Sequence, residues 1–116
     1  KDPHYFSDLI DQFQSYFNAQ LKEFKFPLDL RLGTSFQQKV WENLLTIPYG
    51  TTRSYKWLAE SIKIPEAARA VGNANGQNPL PIIVPCHRVT RLNGEIGGYT
   101  GGVELKRYLL SLEKAI

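Results

Sequence analysis

The stretch Leu80-Pro81-Ile82-Ile83-Val84-Pro85-Cys86-His87-Arg88-Val89 constrains this chain more than any other, because it is an apolar run punctuated by proline that ends in the only cysteine. Three consecutive aliphatic residues favour extended backbone, which predicts a short buried strand over 80–84. Pro85 has no N–H for a ladder and biases Val84 toward extended φ/ψ, so Cys86 is expected at a turn on the edge of the core. In a regular strand Cys86 and His87 would face opposite ways, whereas at a turn the imidazole can reach the sulfur directly or through one water. A lone cysteine is usually a small buried hydrophobe. Here His87 and Arg88 follow it immediately, and nearby cations lower a thiol pKa and populate the nucleophilic thiolate. The stretch therefore reads either as plain core or as a reactive thiol.

With 116 residues, 42% of them hydrophobic, the chain is expected to make one compact domain with a modest core. No segment has the uninterrupted apolar length of a membrane helix, so no membrane partner is expected. One cysteine cannot close an intramolecular disulfide, build a thiolate metal cluster or run a two-thiol redox cycle. An intracellular, reduced setting follows as the expectation. The net charge of +3 is unevenly spread: residues 53–107 carry eight Lys or Arg against four Glu, residues 1–52 five basic against six acidic side chains. The basic half is the half with the cysteine, which suits a polyanionic substrate as well as a merely solvated face.

Apolar periodicity predicts a helix over 5–24, with Phe6, Leu9, Ile10, Phe13, Tyr16, Phe17 and Leu21 on one face. A short extended piece, Phe26 to Leu30, and a boundary at Gly33 follow, and nothing in residues 1–33 suggests chemistry. Thr34 or Ser35, each with a Gln three residues on, caps a second helix that buries Phe36, Val40, Leu44 and Leu45 up to Ile47. Ser54 caps a third through Ile62, burying Leu58, Ala59 and Ile62. Pro65 opens a fourth, Glu66 to Asn75, rich in Ala67, Ala68, Ala70, Gly72 and Ala74. The last two form a helix-turn-helix candidate. Small residues around Arg69 let the backbone approach a groove, where the arginine could enter the base stack or pair with phosphate; a closely packed helix with a surface arginine reads equally from the same residues. Asn78 braces the turn into the cysteine stretch. Asn93-Gly94, between 89–92 and Glu95-Ile96, signals a hairpin. Four glycines around Tyr99 and Thr100 suggest a loop that lays its backbone against a flat ligand. A final helix from Val103 is expected to bury Leu105, Tyr108, Leu109 and Leu112 and carries Glu113 near its end.

Arg69-Ala70-Val71-Gly72, Asn78-Pro79, Pro85-Cys86-His87-Arg88-Val89 and Gly98-Tyr99, in this order and spacing, resemble the O6-alkylguanine-DNA alkyltransferases over about residues 34–113. The resemblance implies a mainly α fold: a small helix-turn-helix, winged-helix-like DNA-binding domain with a short strand and hairpin over 33–116. Before it, residues 1–32 resemble the remnant helix and strand of an N-terminal α/β domain. It implies a monomeric, single-turnover repair protein, with neither metal nor organic cofactor, that flips O6-alkylguanine out of double-stranded DNA and moves the alkyl group irreversibly to Cys86. His87 would activate the thiol through a water, Glu113 would orient His87, Asn78 would brace the turn and Tyr55 would donate a proton to the departing guanine. Tyr99, Thr100, Pro81 and the Val89 backbone would contact the base. Arg69 would fill the gap in the stack beside Ala70, and Arg53, Lys56 and Arg91 would contact DNA. Two alternatives stay open. A non-repairing lesion-binding relative usually replaces the cysteine, commonly with Trp, and a cysteine hydrolase would turn over repeatedly and would not need the Arg69 helix.

Overall fold

A computed structural model describes residues 4–26 and 28–116. The side chains of residues 4–6, Phe6 of the expected stripe among them, and Pro27 lie outside the described residues. The described chain is mainly helical: α1 (His4–Phe17), α2 (Ser35–Leu44), α3 (Tyr55–Ser61), α4 (Ala68–Gly76) and α5 (Val103–Leu112), with a 3-10 turn at Cys86–Arg88 and two short strands, β1 (Arg53–Ser54) and β2 (Val89–Thr90).

Helix α1 stops at Phe17, seven residues short of the expectation, because Ala19 takes a left-handed φ of 62° and the chain turns back on residues 14–16. Tyr16 is its one fully buried side chain among the described residues; Phe17 stacks on Tyr108 of α5, and Ile10 is left exposed. Residues 28–30 form no ladder, so the expected remnant strand is absent among the described residues, although Leu30 reaches the core.

Thr34 caps α2 through a full capping box: its hydroxyl accepts the Gln37 N–H at 3.0 Å while the Gln37 side chain accepts the Thr34 N–H at 2.9 Å. The helix buries Val40, Trp41 and Leu44 but leaves Leu45 exposed, because Leu45 already lies past the last regular turn. Trp41 is the central wedge, its indole donating to the Ala74 carbonyl at 2.8 Å. A Cβ on Gly33 would sit 2.3 Å from the Trp41 ring, so the residue at this boundary must be glycine.

Ser54 caps α3 by accepting the Trp57 N–H at 2.9 Å. Helix α4 begins at Ala68 rather than after Pro65, since residues 64–67 close a turn of their own through the Ala67 N–H and the Ile64 carbonyl. Helices α2, α3 and α4 pack mutually around Leu44, Leu58 and Val71, each fully buried and each stabilising the fold by roughly 1.5–3 kcal/mol.

Two expectations for the strands fail. Residues 80–84 are not a strand but a tight turn in which the Val84 N–H bonds the Leu80 carbonyl and Ile82 is forced to a φ of 78°. Prolines at 79, 81 and 85 remove the donors a ladder needs, so the buried Ile83 and Val84 enter the core from a loop. The Asn93-Gly94 signal likewise makes only a turn, with Arg91 N–H on the Glu95 carbonyl and Gly94 at φ 90°. Strand β2 pairs instead in parallel with β1, Arg53 opposite Val89 and Ser54 opposite Thr90. Helix α5 is also rotated from the expected face: it buries Lys106, Leu109 and Leu110, while Leu105 and Tyr108 are exposed.

Candidate active site

The turn over 80–84 delivers Cys86 to the first position of the 3-10 turn, where it is buried at one wall of a cavity of about 340 Å³. That cavity is lined by Tyr55, Gly72, Asn75, Gly76, Cys86, Gly98, Tyr99 and Thr100, a size and lining suited to one flat small ligand. Small residues on α4 form one wall, and the Tyr55 ring packs against Gly72 and Gly97. The Thr100 hydroxyl donates to the Gly76 carbonyl at 2.7 Å, tying the glycine loop to the end of α4.

Asn78 holds the strained turn from both sides: its amide donates to the Val84 carbonyl at 2.7 Å and its carbonyl accepts the Leu80 N–H at 2.9 Å. From the same region Asn75 donates to the Cys86 carbonyl at 3.3 Å. Burial pushes the Cys86 thiol above its ordinary pKa, and the Asn78 amide, the Lys106 ammonium and the Tyr99 hydroxyl pull it partly back. Arg88 is committed instead to the Glu113 carboxylate and the Ile47 carbonyl.

Behind the cysteine lies a buried polar cluster centred on Glu113, which caps α5. Glu113 accepts from His87 Nε2 at 2.7 Å, from Arg88 Nε at 2.8 Å and Nη2 at 3.0 Å, and from the Tyr16 hydroxyl at 2.5 Å. Arg88 also donates to the Ile47 carbonyl at 2.8 Å. Burial would raise the Glu113 pKa, but the bonds from His87, Arg88 and Tyr16 outweigh it and hold the carboxyl at about 2. His87 is fully buried, which lowers its pKa below 6.5 despite the bond to Glu113. At neutral pH a carboxylate therefore faces a neutral imidazole, so Nε2 carries the proton and Nδ1, buried without a protein partner, is the basic nitrogen.

Both shifts make the folded state bind fewer protons than the unfolded chain, so stability is lost as pH falls. The His87 contribution fades below about pH 6.5, and the Glu113 contribution between 4.5 and about 2. Urea midpoints measured against pH should show this two-stage loss, and Glu113→Gln should flatten the acid stage.

On the outer surface Arg69 and Ala70 are exposed on α4. Arg69 and Arg91 line an open groove with Tyr55, Ala68, Gly72 and Gly98, and Lys56, Arg91, Leu92 and Asn93 continue it past Tyr55. Tyr55 thus belongs to both the cavity and the groove. Arg53 sits apart from both, its guanidinium over the Trp57 ring and bonded to the Thr52 carbonyl. Pro81 is exposed in the turn outside the cavity lining. Val89 is buried, and its carbonyl accepts from Lys106 Nζ at 2.6 Å.

Four residues of this site were not read from the sequence: Tyr16, Asn75, Lys106 and the pairing role of Arg88. For Lys106 a signal existed, since it falls three residues after Val103 and three and four before Leu109 and Leu110, on their face. For Tyr16 the stripe predicted burial, but its partner lies 97 residues away. Among the described residues no group of three or more His, Cys, Asp or Glu is placed to hold a metal ion, and no helix is long and apolar enough to cross a membrane.

A family model described as the DNA binding domain of 6-O-methylguanine DNA methyltransferase matches residues 35–115. The chain belongs to that family. It is 59% identical over 114 residues to the methylated-DNA–protein-cysteine methyltransferase of Mycobacterium tuberculosis, covering 98% of this chain and 68% of the relative. The structure of Mycobacterium tuberculosis OGT in complex with DNA superposes with a TM-score of 0.92 at 59% identity, over 98% of this chain and 69% of that one. More distant is the Schizosaccharomyces pombe protein Atl1, solved with DNA containing O6-carboxymethylguanine: TM-score 0.61, 28% identity, covering 74% of this chain and 79% of that one. The methyltransferase family model spans all of the cavity and the groove, and all of the Glu113 cluster except Tyr16.

Proposed function

We propose that this protein repairs double-stranded DNA by moving a methyl or other alkyl group from the O6 of guanine to Cys86, once per chain. The observation that carries this reading is the cavity in which Cys86, Tyr55, Tyr99 and Thr100 meet, opening beside a groove lined by Arg69 and Arg91. A base inside a duplex cannot reach a buried thiol, so the nucleotide must leave the stack, at a cost of a few kcal/mol. Arg69, standing among small residues on α4, fills the gap, and Tyr99 stacks on or against the extruded base. Residues 33–116 carry the whole of this chemistry, and residues 1–32 support it through Tyr16.

The transfer balances as follows. His87 Nδ1 takes the Cys86 proton through a water, and Glu113 stabilises the imidazolium that forms. The thiolate attacks the alkyl carbon, a carbon-sulfur bond forms and the carbon-oxygen bond breaks with its electron pair returning to the base. Tyr55, kept protonated by burial, gives a proton to the departing guanine and is reprotonated at the expense of the imidazolium. Guanine ends with the proton the thiol lost.

The test is intact-mass spectrometry after incubation with excess methylated duplex. A gain of one methyl per chain, mapped to the peptide with Cys86, with unmodified guanine recovered in the DNA, is the expected result. Repeated turnover, or methyl released as a small molecule, would overturn the reading in favour of a hydrolase. Arg69→Ala should slow repair of duplex DNA far more than reaction with the free alkylated base, which leaves no gap to fill. Equal slowing of both substrates, in a single-turnover comparison, counts against intercalation.

A further inference from the structure

The alkyl-transfer scheme leaves one buried ionisable side chain at the site without a role. Lysine is almost never fully buried unless paired. Lys106, on the inner face of α5, is fully buried, and its hydrogen bonds among the described residues go to two carbonyls rather than to a carboxylate. Its Nζ donates to the Val89 carbonyl at 2.6 Å and to the Gly98 carbonyl at 3.1 Å, and lies 5.8 Å from the centre of the Tyr55 ring. These contacts belong to three separate segments: the strand that leaves the Cys86 turn, the glycine loop that carries Tyr99, and the start of α3.

We infer that Lys106 is a positioning residue for alkyl transfer, whose buried ammonium clamps the glycine loop to the strand behind Cys86 and presents a positive charge to the thiol. The inference rests on the alkyl-transfer reading above. Charge-assisted bonds to two carbonyls fix the loop more firmly than neutral ones, and a cation acts more strongly on a neighbouring anion in a buried site than in water. The surrounding groups leave this task to Lys106. The thiol is faced by Asn78, Tyr99, Tyr55 and Lys106, while its chain neighbours His87 and Arg88 are committed to Glu113. Lys106 in turn is held at about 8: its own burial lowers it most, Cys86 favours its charge, and Arg91 opposes it.

The experiment compares the wild type with Lys106→Met, which removes donor and charge, Lys106→Gln, which keeps a donor without charge, and Lys106→Arg, which keeps the charge. Cys86 is the only cysteine, so the pH dependence of its modification by iodoacetamide reports its thiolate alone, without DNA. In Met and Gln the inflection should move up by about one pH unit, with modification at pH 7 slowed several-fold, less than the loss of thiolate because a more basic thiolate is more nucleophilic. Arg should restore the inflection in part. Single-turnover transfer from methylated duplex should slow likewise in Met and Gln at unchanged DNA affinity. A purely structural lysine would lower the melting temperature and leave the inflection where it was. A wild-type inflection in whichever of Met or Gln stays folded overturns the inference. Failure of the wild type to take methyl from DNA would instead overturn the proposed function, while the iodoacetamide profiles still decide the role of Lys106.

Discussion

Replacing Glu113 by Gln is expected to lower stability by about 3–5 kcal/mol, the usual cost of leaving one member of a buried ion pair without its partner. The Arg88 guanidinium is nearly buried, bidentate on this carboxylate, and among the described residues has the Ile47 carbonyl and the face of Tyr49 as further company. A neutral amide cannot accept from Arg88, His87 and Tyr16 together and must turn at least one donor toward another. A drop in melting temperature of more than about 10 °C should follow for a domain of this size, measured by calorimetry. Alkyl transfer should slow as well, because His87 loses both the group that fixes its tautomer and the charge that stabilises its imidazolium, while DNA affinity stays near that of the wild type. Tyr16→Phe is the matched control: it removes one donor and leaves the charge paired, so its cost should be about 1.5–3 kcal/mol, with transfer largely retained. Equal losses in the two variants would show that Glu113 acts through the number of its bonds and not through its charge.

Cys86→Ala should abolish alkyl transfer altogether while leaving binding to lesion-containing duplex within a few-fold of the wild type. The side chains that meet the base and the groove, Tyr55, Tyr99, Arg69 and Arg91, are held by other elements, and the turn itself is held by Asn78 and by backbone bonds rather than by the sulfur. Alanine removes little volume from the cavity wall, so stability should change by about 1 kcal/mol or less. Fluorescence anisotropy with an O6-methylguanine duplex and recovery of the lesion after incubation measure the two halves of this prediction. Residual repair in Cys86→Ala would mean that another group accepts the alkyl, since no second thiol exists in the chain. Binding in both proteins should weaken steeply with added salt as phosphate contacts release counterions.

The candidate site residues and the α2 cap were legible in the sequence because each is marked by its immediate neighbours. Cys86 stands between proline and histidine, Arg69 among alanines, Tyr99 among glycines, and Thr34 three residues before Gln37. Capping, turn chemistry and small-residue runs are local effects, acting over three or four residues, and local pattern is enough to find them. Helix α5 marks the limit of that reading: its six apolar residues fit two faces about one residue apart, and only packing chose the one carrying Lys106.

The strands show the same division. The run over 80–84 has strand composition, but its prolines leave it without ladder donors, and it turns back on itself. The pairing that does form, Arg53 with Val89, joins segments 36 residues apart and has no signature in either dipeptide. What the sequence by itself determined is where α2, α3 and α5 begin and which thiol is the candidate nucleophile. What only the tertiary structure decided is which buried polar groups meet: Tyr16, His87 and Arg88 converge on Glu113, and the charge of Lys106 is felt at Cys86. Those contacts span from 20 to 97 residues of chain, so their geometry follows from how the helices pack and not from any local preference.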